Sequence, residues 1–268
     1  MKKQTNNSEL SNQTRREFLK LGAVSLVGGA IATRLGVFEF LNPKVVAEQT
    51  EGSNMRWGFV VDTTKCVGCG MCVKACKLEN KVPFDSEVSR TWVERYVQKH
   101  DGEVIIDSPN LARDGFITNN PLGMDIKEDE IAKGFFVPKL CNHCEHPSCV
   151  KVCPVGATYK TSDGVVLVDW DVCIGCGYCI TNCPYGARFF HPTHHVVDKC
   201  TFCYHLIKKG LPSACVQACA YGARKIGDLN DPNSEVHRIV NTERVAVLKP
   251  YTHNLPQVYY IGLDHIVI

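Results

Sequence analysis

The stretch CIGCGYCITNCP, residues 173–184, places four cysteines within eleven positions. Their spacing, C-x2-C-x2-C-x3-C, puts three thiols on one loop and the fourth where the chain begins to turn away. A cubane of iron and sulfide needs four soft thiolate ligands, one for each iron. Glycines lie between the first three cysteines, so backbone amides can approach the sulfides. The stretch therefore predicts a ligand loop for a [4Fe–4S] cluster.

All 16 cysteines of the 268-residue chain fall into four groups of four. Groups one and three share the spacing above, which is that of bacterial ferredoxins, whereas groups two and four have a longer gap in the middle. In chain order the groups are Cys66, Cys69, Cys72 and Cys76; Cys141, Cys144, Cys149 and Cys153; Cys173, Cys176, Cys179 and Cys183; and Cys200, Cys203, Cys215 and Cys219.

Two other uses of cysteine fit these groups less well. Disulfides need cysteines placed for pairwise geometry, which C-x2-C-x2-C makes awkward. Zinc ribbons use paired C-x2-C, but not a third cysteine two residues later and a fourth after three more. Four repeated groups therefore favour iron–sulfur clusters over either alternative.

The charge of the chain gives no reason to expect a nucleic-acid partner. The formal net charge is +2, and residues 1–47 hold seven Lys or Arg and three Asp or Glu. Without that segment 23 basic and 25 acidic residues remain, a net charge near −2. Nucleic-acid binding rests on a positive surface, so no nucleic acid is expected to bind.

The first 47 residues are typical of an export signal. Arg15 and Arg16 are followed by a weakly apolar run, LGAVSLVGGAIA, and Val45–Ala47 offers small residues for cleavage. This order predicts a twin-arginine signal peptide, whether cleaved or kept as an anchor. The twin-arginine route carries folded proteins, so the clusters would be inserted before export. We expect a peripheral protein in the periplasm or on the outer face of the cytoplasmic membrane, with no transmembrane helix in its mature part.

Internal repeats indicate duplication. VVDTTKCVGCGMC (60–72) aligns with LVDWDVCIGCGYC (167–179), and CPYGAR (183–188) aligns with CAYGAR (219–224). Each repeat unit reads as a short strand, a ligand loop and a short helix ending at a glycine turn. The repeats predict an α+β fold made of two bacterial-ferredoxin-like units, each holding two clusters.

The two units are expected to be interleaved along the chain. Groups one and four would form one unit from residues 48–83 and 198–228, and groups two and three the other from residues 138–197. A cysteine-free insertion, residues 84–137, would be either a hairpin that meets a partner or a cover over the clusters. A C-terminal extension, residues 229–268, would hold a short helix and a terminal strand, QVYYIGL.

The mature chain resembles the four-cluster iron–sulfur subunits of molybdopterin oxidoreductases of the DMSO reductase family. The stretches that carry the likeness are LCNHCEHPSCVKVCP, DKCTFCYHLIKKGLPSACVQAC and GARKIGDLNDPNS. They are most similar to the tetrathionate and polysulfide reductase type. Cys76 and Cys219 depart from the usual pattern because no proline follows them, which weakens the local match without removing a thiol.

The resemblance implies a crossed ligation, in which the last cysteine of each group binds the cluster of another group. The sets implied are Cys66, Cys69, Cys72 and Cys219 for cluster 1; Cys141, Cys144, Cys149 and Cys183 for cluster 2; Cys173, Cys176, Cys179 and Cys153 for cluster 3; and Cys200, Cys203, Cys215 and Cys76 for cluster 4. Because all 16 positions are cysteine, four [4Fe–4S] clusters are expected.

The resemblance also implies a function in electron transfer. The partners would be a catalytic molybdopterin subunit and a membrane quinone-reactive or cytochrome subunit. No residue is expected to be catalytic, since no cysteine is spare and no P-loop, G-x-S-x-G or Rossmann pattern stands out. The same kind of subunit serves hydrogenases, formate dehydrogenases and sulfur-metabolism membrane complexes, which stay as alternatives. A self-contained iron–sulfur enzyme or redox sensor would need an open iron site, which four complete groups disfavour.

Overall fold

The computed structural model describes residues 54–116 and 126–267, so the predicted signal peptide lies outside the described residues. The strands are β1 (Trp57–Asp62), β2 (Thr91–Lys99), β3 (Val104–Asp107), β4 (Ile131–Leu140), β5 (Thr158–Lys160), β6 (Val166–Val168), β7 (Arg188–Phe190), β8 (Val197–Lys199), β9 (Arg224–Asp228), β10 (Val245–Ala246) and β11 (Val258–Ile261). The helices are α1 (Met71–Glu79), α2 (Ser148–Lys151), α3 (Tyr178–Thr181), α4 (Tyr204–Ile207), α5 (Ala214–Gln217) and α6 (Glu235–Thr242). This mixture of helices and strands agrees with the predicted α+β class.

A four-stranded sheet joins the two ends of the described chain. Its strand order is β10-β11-β1-β9, with β1 parallel to β11 and antiparallel to β9. Phe59, Val60 and Val61 of β1 are fully buried, as expected of a strand covered on both faces. Because β1 leads into group one and β9 follows group four, their pairing brings the first and last cysteine groups together.

The C-terminal part of the chain completes this sheet. Helix α6 is the short helix expected after Asp231–Pro232, and Val236 and Ile239 on its inner face pack against Val60. The expected terminal strand is β11, which lies beside β1. The C-terminal residues thus hold β1, and with it the loop of group one, along one edge and one face.

The cysteine-free insertion forms a three-stranded antiparallel sheet with the order β3-β2-β4. Arg95 on β2 forms two hydrogen bonds of 2.9 Å with Asp107 on β3. The sheet packs on the loop of group one, because a Cβ placed on Gly68 would lie 2.6 Å from the ring of Phe136. This contact favours the interpretation of the insertion as a cover.

Two short hairpins, β5–β6 and β7–β8, frame groups two and three. Between them Val166 and Val197 pack directly against the side chains of Cys149 and Cys179. The cysteines are therefore part of the core, and this region holds little apolar core apart from them. No helix within the described ranges is long and apolar enough to cross a bilayer.

Candidate iron–sulfur centres

All four cysteine groups begin with the same C-x-x-C turn, whose third residue has a positive φ. The angle is +66° at Gly68, +42° at His143, +68° at Gly175 and +55° at Phe202. Glycine adopts this conformation freely, whereas a residue with a Cβ is strained by about 1 kcal/mol or more. The turn aims backbone donors at sulfur: the N–H of Phe202 donates to Cys200 Sγ at 3.3 Å. The four loops thus share one backbone form despite their different sequences.

Three cavities each have four cysteines in their walls, three from one group and the fourth from another. Their empty volumes, including space open to solvent, are similar at about 340, 270 and 320 Å³. We name the sets quartet A, with Cys66, Cys69, Cys72 and Cys219; quartet B, with Cys76, Cys200, Cys203 and Cys215; and quartet C, with Cys141, Cys144, Cys149 and Cys183.

The thiols of a quartet surround a volume rather than a point. Among residues 54–116 and 126–267, no three His, Cys, Asp or Glu side chains converge closely enough to hold a single metal ion. A cluster with one ligand for each of four irons needs its thiols spread around it. The spacing of the thiols therefore suits a polynuclear centre.

The remaining cysteines, Cys153, Cys173, Cys176 and Cys179, form quartet D. Helix α2, just before Cys153, packs against α3, which carries Cys179. Cys173 packs against the apolar cluster that includes Cys179. Burial raises the pKa of Cys153, but backbone N–H groups of residues 155–158 outweigh it, so the pKa of this thiol is lowered overall. A thiolate, the form that binds iron, is thus favoured at this position.

Packing between quartets indicates the order A, B, C, D. Helix α1, which carries Cys72 of quartet A, packs against α5, which carries Cys215 of quartet B. Cys200 of quartet B and Cys141 of quartet C belong to one apolar cluster. Cys149 of quartet C belongs to the same apolar cluster as Cys179 of quartet D. Redox centres held by the four quartets would therefore lie in single file.

Two aromatic rings lie at the junction between quartets B and C. His143, in the loop of quartet C, stacks on Phe202, in the loop of quartet B, with ring centroids 3.7 Å apart. Both rings are almost completely buried, and His143 Nδ1 accepts a hydrogen bond from the N–H of Val166 at 3.0 Å. The two loops that carry a side chain at the left-handed position thus use it to contact each other.

Eight of the 16 thiols have a pKa raised by burial, which disfavours their ionisation. Burial raises the pKa of Cys66 and of Cys215 to about 11. It raises the pKa of Cys76, which faces Cys200, Cys215 and Cys203, well above the usual value. Metal binding must therefore displace protons from these thiols, as is usual when cysteine binds metal.

Three buried cations lie close to the thiols of successive quartets. Arg224 lines the cavity of quartet A and interacts electrostatically with Cys215 of quartet B. Lys199 interacts in the same way with Cys200 of quartet B and with Cys141 and Cys149 of quartet C. Arg188 lines the cavity of quartet C and interacts with Cys179 of quartet D. Each of the three cations therefore acts on thiols of two successive quartets.

The two arginines test whether the quartets fit an iron–sulfur cluster. Arg224 Nη2 and Arg188 Nε are buried N–H donors without a hydrogen-bond partner among the described residues. A buried donor left without an acceptor costs about 1–3 kcal/mol. The sulfide and thiolate sulfurs of a bound cluster are acceptors and carry negative charge. The thiols, as iron ligands, and the unpartnered N–H groups, as donors to sulfur, therefore both fit clusters bound by the quartets.

The spacing of the cysteines predicted a ligand role for each of them, but the three cations were not predicted. A signal for two of them was present, since Arg188 and Arg224 stand at the same place in the repeats CPYGAR and CAYGAR. Lys199 precedes Cys200 as Lys65 precedes Cys66, yet only Lys199 is buried. The sequence alone does not show which of those two lysines is buried.

Comparison with protein families agrees with this geometry. Two models described as "4Fe-4S dicluster domain" match the chain, one over residues 65–157 and the other over residues 132–229. Together they cover all four cysteine groups. Two dicluster domains and 16 cysteines fit the duplicated ferredoxin-like design that the repeats predicted.

Comparison with individual proteins finds relatives along most of the chain. A relative from Salmonella typhimurium, named as a tetrathionate reductase subunit, is 37% identical, over 94% of this chain and 90% of the relative. A protein of the same name from Archaeoglobus fulgidus is 45% identical, over 78% and 83%. A relative from Mesobacillus selenatarsenatis, named as a selenate reductase subunit, is 36% identical, over 78% and 73%.

The two lines of comparison lead to one conclusion. The matches to dicluster models and the long, similar relatives confirm the prediction of four [4Fe–4S] clusters and of a role in electron transfer. The chain belongs to the iron–sulfur subunits of the molybdopterin oxidoreductase family.

Proposed function

We propose that this chain relays electrons between a catalytic molybdopterin subunit, of the tetrathionate or polysulfide reductase type, and a membrane partner that reacts with quinone or is a cytochrome. The observation that carries the proposal is the single file of four cysteine quartets described above. A file of centres has two ends, and an electron carrier between two partners needs two places of exchange.

The ligand sets that we propose are those of the four quartets. Quartet A would bind cluster 1, quartet C cluster 2, quartet D cluster 3 and quartet B cluster 4. Support for A, B and C comes from the shared cavities, and support for D comes from the packing of α2 on α3. Each cluster, when bound, supplies a site that takes up and gives back one electron.

The protein around the quartets controls how such centres exchange electrons. Buried thiols exclude water from the two middle quartets, which lowers the local dielectric constant and strengthens the effect of nearby charges. Backbone N–H groups that donate to sulfur, such as that of Ala223 to Cys219 Sγ at 3.3 Å, favour the more negatively charged form. Both effects adjust reduction potentials without any catalytic residue in this chain.

The two ends of the file are the parts nearest to solvent. In quartet D the side chain of Cys176 is exposed, and the neighbouring Ile174 and Tyr178 are 63% and 61% exposed. In the loop of quartet A, Val67 and Met71 are 42% and 49% exposed. Apolar surface beside a redox centre suits contact with another protein, because closely packed surfaces bring the redox centres of the two proteins nearer to each other.

The substrate class rests on the relatives. Two of them are named as tetrathionate reductase subunits, at 37% and 45% identity, which favours a catalytic partner that reduces a sulfur oxyanion. The relative named as a selenate reductase subunit, at 36% identity, makes selenate a second candidate. This chain would serve either reaction in the same way, since the substrate would bind to the catalytic partner.

We place this function outside the cytoplasm. The paired Arg15–Arg16 and the apolar run after them support export by the twin-arginine route after the clusters have been inserted. The chain would then act in the periplasm or at the outer face of the cytoplasmic membrane, held there by its partners.

The test is an anaerobic purification of the native complex through a tag on this chain. Mass spectrometry identifies the partners, and elemental analysis measures iron, molybdenum, tungsten and nickel. We expect about sixteen irons per chain, a large subunit with molybdenum or tungsten, and a membrane protein. Nickel in place of molybdenum, or the lack of a catalytic subunit, would refute the proposed partner. A variant with Arg15 and Arg16 both changed to Lys should keep its iron and stay in the cytoplasm.

A further inference from the structure

Arg188 and Arg224 occupy equivalent positions in the two halves of the duplicated fold. Each lies five residues after the last cysteine of its group, in CPYGAR and CAYGAR, and each is the first residue of a strand, β7 or β9. Both side chains are almost completely buried, at 4% and 2% exposure. Duplication has thus placed one permanent positive charge inside each half.

The surroundings of the two arginines match. Arg224 Nη1 donates to Thr91 Oγ1 at 2.9 Å, and Arg188 Nη1 donates to Thr158 Oγ1 at 3.2 Å. A neutral hydroxyl thus holds one end of each guanidinium. Thiols lie near both guanidinium groups, and Arg188 Nη2 donates to Cys149 Sγ at 3.0 Å. Tyr260 also lies near Arg224, and Lys199 lies near Arg188. Each arginine is therefore fixed in place but not neutralised by its hydrogen-bond partner.

Neither arginine forms an ion pair with a carboxylate of the described residues. Two other buried cations do have such a partner: Arg90 pairs with Asp198 at 2.8 Å, and Lys139 pairs with Glu94 at 2.6 Å. A buried charge without a counter-ion is costly, so an anion must be supplied by another group. Four thiolates around a cluster carry negative charge, and they lie where these guanidinium groups point.

We propose that Arg224 raises the reduction potentials of the two centres held by quartets A and B, and that Arg188 does the same for quartets C and D. The chain of centres would thus be tuned in two pairs, each by one arginine of the duplicated repeat. This inference rests on the ligand sets proposed above, and it assigns a role to two residues that are not ligands.

The physical reason is electrostatic. Reduction of a centre adds one electron and hence one negative charge, with no bond made or broken. A fixed positive charge nearby stabilises the reduced form more than the oxidised form, which raises the reduction potential. The guanidinium keeps its charge at any working pH. Since the interaction weakens with distance, each arginine should act on the two quartets that it faces and much less on the other two.

The experiment uses the full-length chain with its clusters, prepared anaerobically. Iron content is measured first, and Cys→Ser variants, one for each quartet, assign the electron paramagnetic resonance signals. A redox titration with dithionite as the reductant then gives the potentials of wild type, Arg224→Met and Arg188→Met. We expect potentials to become more negative for quartets A and B in the first variant and for quartets C and D in the second.

Matched variants separate charge from structure. Arg224→Lys and Arg188→Lys keep the charge, and their potentials should stay closer to those of wild type than the potentials of the Met variants. Lys65→Met removes a charge next to Cys66, but Lys65 is half exposed and paired with Asp62 at 3.1 Å. Its removal should leave all four potentials nearly unchanged, because solvent screens the half-exposed ammonium group.

The experiment distinguishes failure of the role proposed for the arginines from failure of the proposed ligand sets. If the Cys→Ser variants do not remove one signal each, the ligand sets are wrong. If they do, and the Met variants leave every potential unchanged or shift all four equally, the role of the arginines is refuted. If a Met variant loses iron, the proposal requires that it loses the signals of the two quartets beside that arginine. The corresponding Lys variant must keep both signals. Loss of the distant pair, or equal loss in both variants, would also refute it.

Discussion

The two middle quartets differ from the two outer ones in how far they are removed from solvent. In quartets B and C seven of the eight cysteines are buried, whereas in quartets A and D only two of eight are. The same chemistry is thus placed in two environments within one chain. The middle of the file is insulated by protein, and its ends are where exchange with partners can occur. The middle and outer quartets have the same ligands and differ in burial. Burial therefore distinguishes centres that would pass electrons within the chain from centres that would exchange them with partners.

The ligand loops differ in the same way. The outer loops of groups one and three have Gly68 and Gly175 at the left-handed position, and the inner loops have His143 and Phe202. Glycine lets another part of the chain approach closely: a Cβ on Gly175 would lie 2.8 Å from the carbonyl oxygen of His195. The inner rings instead fill the space between two quartets. In the inner loops, the packing of these rings offsets the backbone strain at the left-handed position. The outer loops have glycine there and avoid that strain.

Removal of a ligand should separate inner from outer quartets most clearly. Cys215→Ser, in quartet B, should remove about four of about sixteen irons and lower the free energy of unfolding by more than about 4 kcal/mol, since all four thiols of this quartet are buried. Cys176→Ser, in the exposed quartet D, should cost about 1–2 kcal/mol. Iron analysis and chemical unfolding under argon measure both. Equal losses of stability in the two variants would contradict the comparison.

Conversion of an inner loop to the outer type should have the next largest effect. Phe202→Gly loses a buried ring, which costs about 3–5 kcal/mol, and relieves the strain of a positive φ, which returns about 1 kcal/mol. We expect a net loss of about 2–4 kcal/mol, measured by chemical unfolding of the cluster-bound chain. Phe202→Leu keeps apolar volume and should cost less. A Gly variant as stable as wild type would show that the ring is not needed.

The close packing of an outer loop can be tested at Gly70. A Cβ at this residue would lie 2.2 Å from the carbonyl oxygen of Ala112, so Gly70→Ala should cost about 2–3 kcal/mol. Gly186 also has a positive φ, +63°, but nothing lies within 4 Å of its Cβ position. Gly186→Ala should therefore show the conformational cost alone, about 1 kcal/mol. Thermal unfolding of both variants gives the difference, and equal values would exclude a clash at Gly70.

The smallest effect is expected on the exposed surface of quartet D. Ile174→Ala should change the free energy of unfolding by less than about 0.5 kcal/mol, because the side chain is 63% exposed. Val166→Ala, between quartets C and D, removes buried methyl groups and should cost about 2 kcal/mol. Chemical unfolding compares them. A large loss for Ile174→Ala would mean that this loop contributes to the core after all.

Local patterns allowed much of the site to be predicted. The spacing of the thiols, the repeats, the helix after Asp231–Pro232 and the strand QVYYIGL all depend on neighbouring residues, and the structure contains the helix and strand as α6 and β11. Long-range features were not predicted. Nothing in β1 or β11 alone indicates that they pair in parallel, and nothing next to Arg188 or Arg224 indicates that each side chain lies close to the thiols of two quartets. Such features depend on which distant segments meet.

The pairing of β1 with β9 and β11 has a consequence for the order in which the protein can be made. The walls of quartet A need Cys66 and Cys219 together, and those of quartet B need Cys76 and Cys215. Quartets C and D draw their cysteines only from residues 141–183, so all of their thiols are synthesised before Cys200. The cysteines of group one are synthesised first, but quartets A and B are complete only with Cys215 and Cys219, which come last. The connectivity of the strands therefore completes the ligand sets from the middle of the sequence outward.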